Sequence, residues 1–244
     1  LVGSEMCIRD SIEDIESERI WLEKIGIEES RISKLNEDNF WSMGDTGPCG
    51  PCSEIFYDHG NSLAGDPPEE GKDTGDRFVE IYNLVFMQFN RDLDGNLNPL
   101  PKPSVDTGMG LERITAVMQG TPDNYQTDLF IPLIKKISEL TGEKDLANPS
   151  LRVIADHLRA SCFMLSDGIA IGNEGRNYVL RRIIRRALRH AYKLNKDNFY
   201  IMSEMAAYFS SLYKDLYPEI DKNNSFIEKA LFEEEKRFGS TLNQ

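Results

Sequence analysis

Apolar and polar positions change rhythm near the middle of the 244-residue chain, from an alternation of two to a repeat of three and four. Arg77 to Asn90 (RFVEIYNLVFMQFN) is rich in β-branched and aromatic residues and reads as a long strand. Period two sorts Val79, Ile81, Asn83, Val85, Met87 and Phe89 onto one face, and Glu80, Tyr82, Leu84, Phe86 and Gln88 onto the other. Asp94-Gly95-Asn96 is a turn signal, so the chain is expected to return through Leu97–Leu100 and Val105 as an antiparallel neighbour. Val105 to Arg113 (VDTGMGLER) then reads as a strand end turning through two glycines into a helix. Beyond it Leu129, Phe130, Leu133, Ile134, Ile137 and Leu140 mark one helix before Gly142, and Leu151, Ile154, Ala155, Leu158, Cys162 and Leu165 mark another. Further helices follow from Phe199 to Gln244. The change from strands to helices predicts a domain boundary around Thr141 to Pro149.

The front of the chain is less periodic. From Ile12 a helix carrying Glu13, Glu16, Glu18 and Trp21 is expected to run to Gly26. Asn39 to Ile55 (NFWSMGDTGPCGPCSEI) is dense in glycine and proline and reads as a rigid loop feeding a short strand that ends near Asp58. Gly60 to Gly75 reads as a polar surface excursion. Leu1 to Ser11 (LVGSEMCIRDS) fits nothing downstream and resembles a translated sequencing-adapter remnant, which would make the chain an interior piece of a longer reading frame.

Composition narrows the class. With 40% hydrophobic and 28% charged residues, the chain can build one large or two modest cores. No apolar run approaches a membrane span and no signal-peptide pattern opens the chain, so a cytoplasmic protein with no membrane partner is expected. Four cysteines and three histidines are too few and too scattered for a disulfide framework or a complete structural zinc site. A net charge of −13 excludes a chain that coats nucleic acid with its whole surface, and leaves a local basic patch. Tyr178 to Lys193 (YVLRRIIRRALRHAYK) is that patch. Leu180, Ile183, Ile184, Ala187, Leu188 and Ala191 form an apolar stripe, and Arg181, Arg182, Arg185, Arg186 and Arg189 cover much of the rest. No acid is interleaved, which favours phosphate over bridges to acids elsewhere. The preceding loop, Gly168 to Asn177, carries Asn173 and Arg176.

Candidate chemistry gathers around the glycine turn. Asp106 is a fixed negative charge suited to an ammonium group, Arg113 a planar cation suited to a phosphate, and Gly108 and Gly110 let backbone approach a ligand. Asn83 is a polar residue in an apolar row beside Val85, either satisfied by backbone or facing a ligand. Cys49-Gly50-Pro51-Cys52 has redox spacing, but no strand is expected before it and no helix after it, which argues against dithiol chemistry. For His157, inside a helix, an interhelix hydrogen bond is favoured over metal binding.

These segments resemble the alanyl-tRNA synthetase family of class II aminoacyl-tRNA synthetases. The likeness covers nearly all of Ile12 to Gln244, in Asn39–Asp58, Glu80–Arg91 (EIYNLVFMQFNR), Leu100–Ile114 (LPKPSVDTGMGLERI), Leu151–Ser161 (LRVIADHLRAS) and Tyr178–His190. The resemblance implies an α+β fold. Residues 12–141 would hold part of a class II synthetase antiparallel sheet with flanking helices, including motif 3, and residues 142–244 a truncated α-helical tRNA-recognition domain. It implies activation of alanine by ATP with Mg²⁺ to alanyl-adenylate, then transfer to tRNA(Ala). Asp106 would pair with the alanine ammonium, Gly108 and Gly110 would admit the adenylate, and Arg113 would meet ATP. Trp41 and Val85 would wall a methyl-sized pocket, with Asn83 contacting the amino acid. Asn173 would read the G·U pair of the acceptor stem, with Arg176 and the arginine helix nearby. The chain departs from the family pattern at Ile171-Gly172, where Pro-Ser is usual, and at Asn177, where Gly is usual. Motifs 1 and 2 are not found, so an unpaired sheet edge and an inactive isolated chain are expected. A non-catalytic tRNA-binding paralogue is the rival reading; Trp41, Asp106 and Arg113 together speak against it.

Overall fold

The computed structural model describes residues 6–12, 14–35 and 38–242; the expectations for Leu1–Glu5 and for Glu13 lie outside them. The chain divides into two compact units, Leu1–Thr127 and Asp128–Gln244.

The first unit is built on a sheet. Its strands are β1 (Met6–Ser11), β2 (Ile32–Leu35), β3 (Phe40–Ser42), β4 (Gly47–Asp58), β5 (Phe78–Arg91) and β6 (Leu97–Met109). The order is β2-β1-β4-β5-β6, with β3 paired to β4 off that path. β1 and β2 run parallel while the other pairs are antiparallel, so the sheet is mixed rather than purely antiparallel. The reason is the crossover between them: helix α1 (Ile15–Arg19), continued as a π-helix over Ile20–Ile25, carries the chain back, as parallel neighbours require. Asp14 caps α1 through its carboxylate, accepting from Ser17 N at 3.0 Å and Ser17 Oγ at 2.8 Å. The helical run stops at Gly26, as expected.

Two segments depart from the sequence reading. Met6–Ser11, read as foreign to the fold, is an inner strand in which Ile8 is fully buried and Cys7 packs with Phe56 and Phe78. The glycine- and proline-rich run after Asn39 is not a loop: β3 and a twelve-residue β4 occupy most of it. Buried Asn39 stitches this region together, donating from Nδ2 to the carbonyls of Arg9 and Cys52 at 3.1 Å each. The glycine in the run has a steric cause. The register against β5 shifts between Cys49 and Cys52, and a Cβ on Gly50 would fall 1.8 Å from the Phe86 carbonyl oxygen. Sequence alone cannot separate such a bulged strand from a loop, because both call for glycine and proline.

The β6 strand and helix α2 (Leu111–Met118) follow the expected strand-to-helix pattern, except that Gly108 lies inside the strand and only Gly110 caps the helix. Among the described residues β6 is an edge strand, with Val105 63% exposed.

The second unit is helical: α3 (Ile131–Thr141), α4 (Pro149–Ser166), α5 (Gly175–Leu194), α6 (Met202–Tyr213), α7 (Pro218–Lys222) and α8 (Asn224–Leu242). The division at Thr127 precedes the boundary expected at Thr141–Pro149. The cause is that α3 turns its stripe of Leu133, Ile134 and Ile137 into the helical core and packs on α4 and α6. That core also holds Leu151, Ile154, Leu158, Leu180, Ile184, Leu188 and Phe209, all fully buried. Glu235 of α8 caps α6, its carboxylate accepting from Met202 N at 2.6 Å and Ser203 Oγ at 2.5 Å. Burial pushes its pKa up, against the lowering effect of those hydrogen bonds.

Gly50→Ala is expected to cost on the order of 3 kcal/mol, because an overpacked backbone contact has no flexible side chain to yield. Both tryptophans, Trp21 and Trp41, lie in the first unit, so urea unfolding followed by tryptophan fluorescence reads it selectively. An unchanged midpoint would contradict the bulge.

Candidate functional site

Cross-strand register assembles the first candidate site. Cys52 of β4 faces Val85 of β5, which faces Asp106 of β6; one row along, Glu54 faces Asn83, which faces Gly108. Directly opposed residues in an antiparallel pair project to the same side of the sheet. Asn83, Val85, Asp106 and Gly108, predicted separately from sequence, therefore share one face. Val105 pairs with Phe86 on the opposite face, lining a separate cavity of about 270 Å³ with Asp14, Ser17 and Ile20.

The Asn83 amide is half satisfied. Its Nδ2 donates to Glu54 Oε1 at 3.1 Å, while its buried Oδ1 has no hydrogen-bond partner. The expected backbone partners are replaced by a side chain, the Glu54 carboxylate. Glu54 is itself fixed: Arg9 Nε donates to its Oε2 at 2.6 Å. Burial raises the Glu54 carboxyl's pKa, opposed by Arg9. Sequence reading missed Glu54 and Arg9. Period two along β4 would have put Glu54 on the face of Cys52, two residues before it.

The remaining predicted residues stand differently. Trp41 is on β3, opposite Gly50, with β4 and β5 lying between it and β6. With strands about 4.8 Å apart, its backbone lies roughly 14 Å from that of Asp106. Arg113, in the first turn of α2, is engaged rather than open: its Nη1 donates to the Glu80 carbonyl at 2.8 Å and approaches Glu80 Oε2 at 3.3 Å. A Cβ added to Gly108 meets nothing within 4 Å, so the space over Gly108 itself is open; one added to Gly110 would press on the Arg113 side chain at 3.2 Å.

The cysteine pair is inert by placement. Cys49 and Cys52 are free and buried inside β4, and burial pushes the Cys52 thiol up to about 12. Among the described residues no cluster of three or more His, Cys, Asp or Glu side chains could hold a metal ion. His157 bonds its own neighbour, Asp156, at 2.8 Å rather than another helix; the interhelical contact belongs to His190, whose Nδ1 lies 3.0 Å from Ser150 Oγ of α4.

Helix α5 sorts its arginines by face. Arg182, Arg186 and Arg189 are exposed, and Lys193 extends their line at helical spacing. The positive field there is registered by His190, whose pKa is lowered first by burial and then by Arg186 and Lys193. Arg181 and Arg185 turn inward instead, 3.4 and 3.3 Å from the carboxylate of Glu234 on α8. For these two the bridge to a distant acid prevails over an open phosphate contact. In the loop ahead, Arg176 and Asn173 are exposed. A Cβ on Gly172 would lie 2.8 Å from that of Asn177, so glycine at 172 leaves room for the asparagine side chain.

The family described as tRNA synthetases class II (A) matches residues 3–244. The chain belongs to that family. It is 58% identical over 231 residues to an alanine–tRNA ligase of Hydrogenovibrio crunogenus, covering 94% of this chain and 27% of that protein. It is 54% identical over 242 residues to an alanine–tRNA ligase of Chromohalobacter salexigens, covering 99% of this chain and 28% of the relative. The chain thus spans about a quarter of the length of these relatives. Membership accounts for the mixed sheet with flanking helices. No helix among the described residues is long and apolar enough to cross a membrane.

Iodoacetamide at pH 8 is expected to modify Cys52 on the order of a thousandfold more slowly in the folded chain than an ordinary thiol. Mass-spectrometric labelling kinetics check this; rapid modification of the native chain would restore the dithiol reading.

Proposed function

We propose that the first unit carries the alanine-adenylate side of an alanine–tRNA ligase and that the second is its helical tRNA-recognition region. The observation that carries the reading is the row formed by Asn83, Val85, Asp106 and Gly108, with one amide oxygen left without a partner. An α-ammonium group is a triple donor. It needs acceptors, and Asp106 and Asn83 Oδ1 supply a charged and a neutral one on a single face. Val85 between them leaves room beside an apolar wall, and the open surface over Gly108 admits the adenylate. Trp41 closes the far side of the methyl pocket. Such a pocket rejects glycine or serine by only about 1–3 kcal/mol.

The chemistry this supports is positioning: the alanine carboxylate is held for in-line attack on the α-phosphate of ATP, with no covalent enzyme intermediate. Arg113 meets the nucleotide by exchanging Glu80 for it. Mg²⁺ would arrive on the ATP phosphates, keeping much of its water shell, since the described side chains form no cage for it. In the second unit Asn173, Arg176, Arg182, Arg186 and Arg189 face the acceptor stem of tRNA(Ala), and Arg181 and Arg185 serve that surface from within. The setting is the cytoplasmic machinery of protein synthesis.

In this reading these 244 residues alone do not sustain adenylate formation, because motifs 1 and 2 are not found among them. Alanine-dependent ATP–pyrophosphate exchange by the purified chain is expected at background; robust exchange would contradict it. Binding is the positive test. A non-hydrolysable alanyl-adenylate analogue should bind by calorimetry, and Asp106→Asn should weaken it by about tenfold or more, the value of a charge-assisted hydrogen bond. Equal binding by both chains would remove Asp106 from the site.

A further inference from the structure

Glu234 is a charged residue where the helix pattern calls for an apolar one. On α8 it follows Ile227 and Leu231 and precedes Phe238 along the buried stripe, and its side chain is 1% exposed. Burying a carboxylate is costly unless it is paired. Arg185 Nη1 donates to Glu234 Oε1 at 3.3 Å, and Arg181 Nε at 3.4 Å and Arg237 Nη1 at 3.9 Å pair with its Oε2 by charge without a hydrogen bond. Arg185 is further held over the Phe238 ring, 5.3 Å from its centroid. The guanidinium of Arg181 does not end there. Its Nη1 donates to Oδ1 of Asn173, in the loop just ahead of α5.

A guanidinium can only donate, so the atom of Asn173 facing Arg181 must be the amide oxygen. The Nδ2 group is then left as the outward-facing polar group. We infer that Glu234 is a positioning residue: through Arg181 it fixes the Asn173 amide with its NH₂ outward, so that the loop reads an acceptor atom on a base edge of bound RNA. The inference rests on the proposed RNA-facing role of α5 and deepens it by dividing that helix's arginines. Arg181 and Arg185 set the reader, while exposed Arg182, Arg186, Arg189 and Lys193 hold the backbone. Phosphate contacts fix register and carry no sequence information; base-edge contacts do.

That division makes the roles separable. The chain is titrated by fluorescence anisotropy with two acceptor-stem hairpins of tRNA(Ala), one carrying the G·U pair and one a G·C pair at the same position. Glu234→Gln keeps the shape of the side chain and removes the charge that aims Arg181. Arg181→Lys keeps the charge opposite Glu234 and removes the planar fork that reaches Asn173. Both are expected to lower the ratio of G·U to G·C affinity by about tenfold, the value of one base-edge contact, with affinity for the G·C hairpin nearly unchanged. Arg186→Gln, by contrast, should weaken both hairpins alike, leave the ratio intact and flatten the salt dependence. Helix melting by circular dichroism verifies that each variant is folded; Arg181→Lys covers the case in which Glu234→Gln is not. An unchanged ratio in a folded Glu234→Gln or Arg181→Lys chain would overturn the proposal. So would an equal loss on both hairpins, which marks a merely structural residue. If the unaltered chain binds neither hairpin, the RNA-facing reading itself fails and the relay with it.

Discussion

The register of β4, β5 and β6 is the constraint on which the candidate site depends. Side chains alternate along a strand, so a one-residue slip of β6 against β5 would turn Asp106 away from Val85 and put uncharged Val105 or Thr107 in its place. Register is held from both sides. The bulge at Gly50 pins β4 to β5, since no residue with a Cβ fits against the Phe86 carbonyl. The Glu54–Asn83 hydrogen bond and the Arg9–Glu54 pair tie β1, β4 and β5 across one row. At the other end Gly110 N donates to the Ile81 carbonyl at 3.2 Å, fixing where β6 stops and α2 begins. The side-by-side placement of Asp106 and Asn83 is thus a product of strand pairing, not of a loop that must close.

Polar groups buried in pairs do similar work in the helical unit. Glu235 closes the start of α6, and Glu234 gathers Arg181, Arg185 and Arg237. Two adjacent acids thereby have different places, one capping a helix and the other pairing with arginines of two helices. The surface that results is split, with exposed cations on one line of α5 and inward-turned ones on another. An acidic chain can in this way present a confined basic stripe without becoming a general binder of nucleic acid.

Much of this was legible in sequence where a period was long and regular. The β5 strand, its return through β6, the strand-to-helix turn at Gly110 and the stripes of α3, α4 and α5 follow from hydrophobic spacing. The shared face of Asn83 and Val85 follows from period two, and the turn signal brings Asp106 to a neighbouring strand, while its place opposite Val85 needed the register. What escaped notice has physical causes. Glycine and proline in β4 serve a bulge, and bulges use the same residues as loops. The inward turn of Arg181 and Arg185 depends on Glu234, which lies 49 residues or more beyond them in sequence. Its only local mark was an acid placed on an apolar stripe, which reads equally as a solvated face until the neighbouring helix is in place. The half-satisfied amide of Asn83 required knowing that a glutamate, not a carbonyl, stood opposite.

The most direct measurement is a structure of the chain with a bound alanyl-adenylate analogue. The expected result places the ammonium nitrogen within about 3 Å of the Asp106 carboxylate and of Asn83 Oδ1, with the methyl group against Val85. A ligand held elsewhere on the sheet, or an Asn83 amide that keeps its oxygen unpartnered beside the bound ligand, would contradict it.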